Sequence, residues 1–237
     1  MSSMIYDGHD FAEDLMIEGI RRPVMADVDI RADDRSGDGS RISSVRLEAL
    51  TIDVDVRLYR PFEEMGTREG FEKARRMLQR RLFRRSPCKL VLPDAPDLYN
   101  MAVLDGSTDL ERIAWSATGT LSFFCADPVT YGARRVRKFK GGDAPALVNV
   151  GGTLPARPVV RAQASGGGLS VESDGSPMRL IGGGDGEAVI DCAAHECAVG
   201  GKPAMLDALD DYAEWAPGVH EVKCAVPFEV EWRELWL

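Results

Sequence analysis

Residues 45–59, VRLEALTIDVDVRLY, alternate apolar and polar side chains almost without interruption. Val45, Leu47 and Ala49 hold one phase, and Leu50, Ile52, Val54, Val56 and Leu58 hold the other. A period of two places successive side chains on opposite faces of a strand, so this stretch requires a sheet with one covered face. The single change of phase, at Ala49-Leu50, predicts a β-bulge within one long strand. Upstream, Val24, Ala26, Val28 and Ile30 alternate in the same way, and DDRSGDGS at 33–40 reads as a mobile loop between the two runs. The pattern therefore predicts a long antiparallel hairpin.

Residues 67–85, TREGFEKARRMLQRRLFRR, break that period. Phe71, Ala74, Leu78 and Leu82 fall at helical spacing behind a threonine able to cap the first turn, and Pro87 stops the segment. The opposite face carries Arg75, Arg76, Arg80 and Arg81. Such a face is either solvated or laid against an acidic partner or subunit. Cys88–Leu92, Tyr99–Leu104 and Ile113–Cys125 then read as strands, which makes the first half an α+β unit of one sheet and one helix.

The second half offers only short strands cut by turn residues: 158–164, 169–172, 178–181, 188–191, 196–199, 219–225 and 228–236. Strands at that density, with turns such as SGGG, SDGSP and GGGDGE, predict a β-sandwich or jelly roll. GGDAPALVNVGGTLPARP at 141–158 has little periodicity and reads as a connector. The expected organisation is a domain at 1–140, a linker at 141–157 and a sandwich at 158–237.

Composition sets limits on function. Hydrophobic residues make up 44% of the 237 and charged residues 28%, which argues against a disordered chain. No apolar run is long enough to span a membrane, and the opening residues lack the regions of a signal peptide, so a soluble, cytosolic chain is expected. Five sparse cysteines predict free, buried thiols rather than a disulfide framework. The net charge of −9 lies mostly in the second half: residues 151–237 hold 6 Lys and Arg against 14 Asp and Glu, a net −8, which leaves −1 for residues 1–150. Acidity of that kind opposes sequence-specific binding of nucleic acid.

Few motifs carry chemistry. Asp191-Cys192-Ala193-Ala194-His195-Glu196-Cys197 places two thiols and an imidazole within six residues, but a zinc site needs about four ligands and Cys224 is remote in sequence. A strand, a turn over 193–195 and a second strand describe it better. GGGDG at 182–186 lacks the spacing of a dinucleotide fingerprint and reads as a hairpin turn. Asp53 and Asp55 share one face of the long strand, as Asp27 and Asp29 do on its partner; these are solvated faces, or in a ring the lining of an opening. No nucleophile–base pairing is visible, so no catalytic residue, cofactor or metal is assigned; a small hydrolase would have to work through His195 or Asp191.

Phe123-Phe124-Cys125-Ala126-Asp127-Pro128-Val129-Thr130-Tyr131 resembles the F-x-C-x-D-P-x-x-Y signature that closes the N-terminal domain of siphophage distal tail proteins. The preceding hairpin, helix and strands fall in the family's order. Gly152-Thr153-Leu154-Pro155-Ala156-Arg157-Pro158 is similar to its G-T-x-x-A-x-P lead-in to the second domain, and Ile190-Asp191, Trp215-Ala216-Pro217-Gly218 and Val230-Glu231-Trp232-Arg233 follow in order. At Val219-His220 the chain departs from the Asn common in the family after that P-G turn.

The resemblance implies a mainly β (α+β) protein of a tailed phage or prophage, located at the virion tail tip and in the host cytoplasm during assembly. Its N-terminal sheet domain, with one helix, would form a homohexameric ring that joins the tail tube protein to the tail-tip hub or tail-associated protein and leaves a channel for DNA. Its C-terminal domain would be a galectin-like β-sandwich, with a receptor-binding protein as a further partner. In such a ring the face with Arg75, Arg76, Arg80 and Arg81 and the strand edges are expected subunit contacts, and Asp53 and Asp55 an expected channel lining. The alternative is a carbohydrate-binding module that attaches the tail tip to host glycans. Trp215, beside the P-G turn, is its expected sugar contact, whereas Trp232 and Trp236, at i and i+4 on one strand face, read as core.

Overall fold

The computed structural model describes residues 3–58, 67–106, 111–113, 116–166, 168–182 and 184–237. The chain divides into two compact units, residues 1–130 with Leu237, and residues 131–236.

The first unit opens with β1 (Ile5–Tyr6), β2 (His9–Asp10) and β3 (Leu15–Arg21), followed by β4 (Val28–Asp34), β5 (Ser40–Leu47) and β6 (Leu50–Leu58). After α1 (Arg68–Leu82) come β7 (Cys88–Val91), β8 (Tyr99–Asp105), β9 (Glu111–Ile113) and β10 (Ser116–Cys125). One antiparallel sheet runs β2–β1–β7–β8–β10–β6–β3, with β9 against the start of β10. Its covered face carries the apolar phase read from the sequence: Ile52, Val54, Val56 and Leu58 of β6 pack with Leu121, Phe123 and Cys125 of β10. The buried side of α1, formed by Phe71, Ala74, Leu78 and Leu82, belongs to the same core. Thr67 caps the helix, its Oγ1 accepting from the Gly70 N–H over 3.0 Å.

The change of phase at Ala49-Leu50 is not a bulge within one strand. It marks the passage from β5 to β6, which lie in different sheets, because among the described residues β4 and β5 pair only with each other. The strand β6 finds its partners in β10 and β3, so the expected hairpin is shorter than 24–59 and its turn is only 35–39. Tyr59 and Trp115 lie outside the described residues.

The second unit holds β11 (Thr130–Phe139, from Tyr131 on), β12 (Ala146–Val150), β13 (Val159–Ala164), β14 (Gly168–Ser173) and β15 (Ser176–Ile181). Then follow β16 (Gly186–Asp191), β17 (Glu196–Val199), β18 (Lys202–Leu206), β19 (Gly218–Cys224) and β20 (Phe228–Trp236). One sheet runs β11–β20–β13–β16–β17–β18 and the other β12–β19–β14–β15–β18, so β18 takes part in both. Their inner faces bury Val160, Val171, Ile190, Val222, Val230 and Trp232, among others. This is the sandwich that the turn density predicts.

Three expectations are corrected here. Residues 141–157 are not a free linker, since β12 pairs with β19 inside the sandwich and the division between units falls at 130/131. The strand β11 was missed because its run TYGARRVRKF has no apolar alternation; its partner β20 supplies the carboxylates, through Arg134–Glu231, Arg135–Glu234 and Lys138–Glu229. The hairpin expected at GGGDG does not form, because β15 and β16 pair in opposite sheets and not with each other.

Candidate assembly surfaces

The signature residues have structural work. Phe123 and Cys125 are buried in the first core, and the Asp127 carboxylate accepts the Val129 N–H over 3.1 Å, closing the turn that starts β11. Gly152 has φ +107°, and a Cβ there would lie 2.3 Å from the Leu235 carbonyl oxygen, so glycine is required. That carbonyl also accepts the N–H groups of Thr153 and Leu154. Ala156 and Trp215 exchange two backbone hydrogen bonds of 2.8 Å. His220, at the point of departure after the P-G turn, reaches Asp174 Oδ2 through Nδ1 at 2.7 Å and the Ala216 carbonyl through Nε2 at 2.5 Å, tying the turn down from both sides.

Trp215 is 1% exposed, its indole N–H bonded to Ser173 Oγ at 2.8 Å and its ring stacked on His220. Burial removes it as a sugar contact. The P-G turn suggested exposure, but both sheets close over the ring.

Asp53 and Asp55 sit on the outer face of β6, directly opposite Ser122 and Thr120 of β10. Those hydroxyls donate to them over 2.6 Å each, and Arg21 of β3 pairs with both carboxylates. The Asp55 carboxyl is held below its ordinary range, first by the Thr120 hydrogen bond and then by Arg21. The face is a partly exposed polar network rather than a bare row of charges. Asp27 and Asp29 are on neither of the strands beside β6.

The four arginines of α1 do not act as one patch. Arg75 pairs with Glu72, and Arg81 turns inward to the buried Asp14, which His9 Nε2 also contacts at 3.0 Å. Arg76 and Arg80 remain exposed. A buried carboxylate needs such partners, and nothing in the sequence around Asp14 announced it.

The Cys/His segment is a β16–β17 hairpin. Asp191 caps it by accepting the N–H groups of Ala193 and Ala194, and His195 takes φ +56°. Cys192 and Cys197 point into the core, where burial pushes the Cys192 thiol up to about 12, while His195 stacks outside on Tyr212. The thiols and the imidazole therefore do not converge. Among the described residues no group of three or more His, Cys, Asp or Glu is placed to hold a metal ion, and no helix is long and apolar enough to cross a membrane.

The ribbon β4–β5 has a surface the sequence did not single out. Val28, Ile30 and Ala32 face the same way as Leu47, Val45 and Ile42, whereas Asp29, Arg31, Asp33, Arg41 and Arg46 take the other face. Leu47 packs against the first core, but Ile30, Ile42 and Val45 are 57%, 60% and 60% exposed. A two-stranded ribbon is marginal by itself in water, and an uncovered apolar face marks a surface for a partner.

Residues 21–125 match the family model described as the phage tail protein RIFT-related domain. That stretch is similar to a siphophage tail domain. The chain's fold over the full length is similar to that of SPP1 Dit, described as a paradigm of the hub adsorption apparatus in phages that infect Gram-positive hosts: the TM-score is 0.80 at 18% identity, covering 99% of this chain and 99% of that one. A chain of the phage P2 baseplate, in its activated conformation with Ca, gives a TM-score of 0.48 at 9% identity, covering 98% of this chain and 97% of that one. No curated protein sequence matches. The family match and the fold bear out the resemblance to siphophage distal tail proteins carried by the 123–131 signature. Residues 21–125 thus match a phage tail protein domain, in a chain whose fold is similar to that of SPP1 Dit.

Proposed function

We propose that this chain is the distal tail adaptor of its phage: a homohexameric ring between the tail tube protein and the tail-tip hub, at the virion tail tip, with an axial channel for DNA. The observation that supports the ring is the ribbon β4–β5, whose apolar stripe begins at the core with Leu47 and runs out to Val45, Ile42 and Ile30, which are exposed. A neighbouring subunit would bury it, and a cyclic ring needs such heterologous contacts. Asp53 and Asp55 are the proposed channel lining, where carboxylates tempered by Arg21 would keep DNA from adhering. The sandwich, galectin-like on this proposal, offers a surface to a receptor-binding protein. The glycan-attachment alternative has lost its contact residue, since Trp215 is buried.

The test is light scattering and negative-stain imaging of the full chain beside an Ile30→Asp/Val45→Asp variant. The wild type is expected to give six-fold particles with a central opening, and the variant a folded monomer with an unchanged circular dichroism spectrum. Rings that survive both substitutions would refute the role of the ribbon; wild-type particles of another symmetry would refute the hexamer.

A further inference from the structure

The second unit has an open groove of about 820 Å³ beside β17 and β18. Its floor is the flat His195–Tyr212 stack, with ring centroids 4.9 Å apart, and its wall includes Met205, which is 72% exposed. Its charge is one-sided. Asp191, Glu196, Asp207 and Asp210 line it, and none of its lining residues is lysine or arginine. Arg179 neutralises Asp210 from alongside, but Asp191, Glu196 and Asp207 have no ion-pair partner among the described residues. The groove calls for a ligand that is apolar and cationic together.

The first unit presents that chemistry. On α1, Lys73, Arg76, Arg80 and the C-cap Phe83 follow at i, i+3, i+7 and i+10, a single stripe opposite the buried Phe71, Ala74, Leu78 and Leu82. All four are exposed, Phe83 at 63%, and the three cations have no ion-pair partner among the described residues. The stripe is about 15 Å long, at 1.5 Å per residue.

We propose that the α1 stripe of one copy docks on the acidic groove of a second copy, Phe83 against the Tyr212–Met205 surface and Lys73, Arg76 and Arg80 toward Glu196, Asp207 and Asp191. This contact joins two different patches, so it is heterologous, the kind that closes rings. It rests on the self-association proposed above and names a second contact, independent of the ribbon. Charge pairs of this kind govern both partner choice and salt sensitivity.

Full-length protein labelled with ¹⁵N, mixed with unlabelled protein, is treated with a zero-length carbodiimide cross-linker and digested for mass spectrometry. The expected product is a mixed-isotope linkage between Lys73 and Glu196 or Asp207. It should fall about tenfold at high salt and disappear in Glu196→Gln/Asp207→Asn. Arg76→Glu/Arg80→Glu should weaken association by on the order of tenfold, and Glu196→Arg/Asp207→Arg in the same chain should restore it. Linkage only within one isotope, no linkage at all, or charge reversal without effect would overturn the contact. If six-fold particles form without this linkage, the ring stands and the groove contact alone fails.

Discussion

Trp215 donates its indole N–H to the Ser173 hydroxyl over 2.8 Å, and both side chains are buried between the sheets of the sandwich. The pair joins the turn before β19 to the end of β14. Trp215→Ala should therefore cost about 3–5 kcal/mol of unfolding free energy. Ser173→Ala, which strands the buried N–H, should cost about 1–3 kcal/mol. Urea denaturation of the full chain, followed by tryptophan fluorescence and by circular dichroism, measures both. A Trp215→Ala chain of wild-type stability would contradict the buried placement.

Gly152 and Gly175 both have positive φ, but only Gly152 meets backbone where a Cβ would stand, at Leu235. Gly175→Ala should cost about 1 kcal/mol for the left-handed conformation alone. Gly152→Ala should cost at least about 1 kcal/mol more, because it also pushes apart the 152–154 turn and β20. Thermal melts of the two variants give the comparison; equal losses would count against it.

The lowered Asp55 titration fixes a sign with pH. Its folded value lies below the unfolded one of roughly 4, so the stability it contributes is present above that range and is lost as the pH falls through the folded value. Thr120→Val removes the largest cause of the lowering. The variant should lose stability at pH 7 and show a flatter decline toward pH 3 than the wild type. Urea midpoints at pH 7, 5 and 3 check this, and parallel profiles would contradict it.

Cys125, Cys192, Cys197 and Cys224 are buried, whereas Cys88 is only half-buried. Burial also raises the Cys125 thiol to about 11 and the Cys192 thiol to about 12. An alkylating reagent on the native chain should modify Cys88 first, and the other four only at the rate of unfolding. Peptide mapping over time reads the order directly; early modification of Cys192 would be inconsistent with the fold.

Much of the second core was legible in advance because its strands alternate over short runs bounded by glycine turns: β17 and β20 fall on the expected residues. The helix was equally legible, since Phe71, Ala74, Leu78 and Leu82 can share a face only at 3.6 residues per turn. The polar face of that helix was less so. Arg75, Arg76, Arg80 and Arg81 look alike in sequence, yet the buried Asp14 takes one and Glu72 another.

The sequence by itself determined which side of each strand and helix is apolar, where the glycines must bend the chain, and the family signature at 123–131. Local periodicity and backbone sterics suffice for these, because they depend on neighbours along the chain. Only the tertiary structure decided that the phase change at Ala49-Leu50 separates two sheets, that β11 and β12 join the sandwich, that Trp215 is buried, and that Ile30, Ile42 and Val45 of β4–β5 are exposed. Each of these depends on which distant strand supplies the hydrogen bonds and the covering side chains, and that choice is made by pairing across the whole chain.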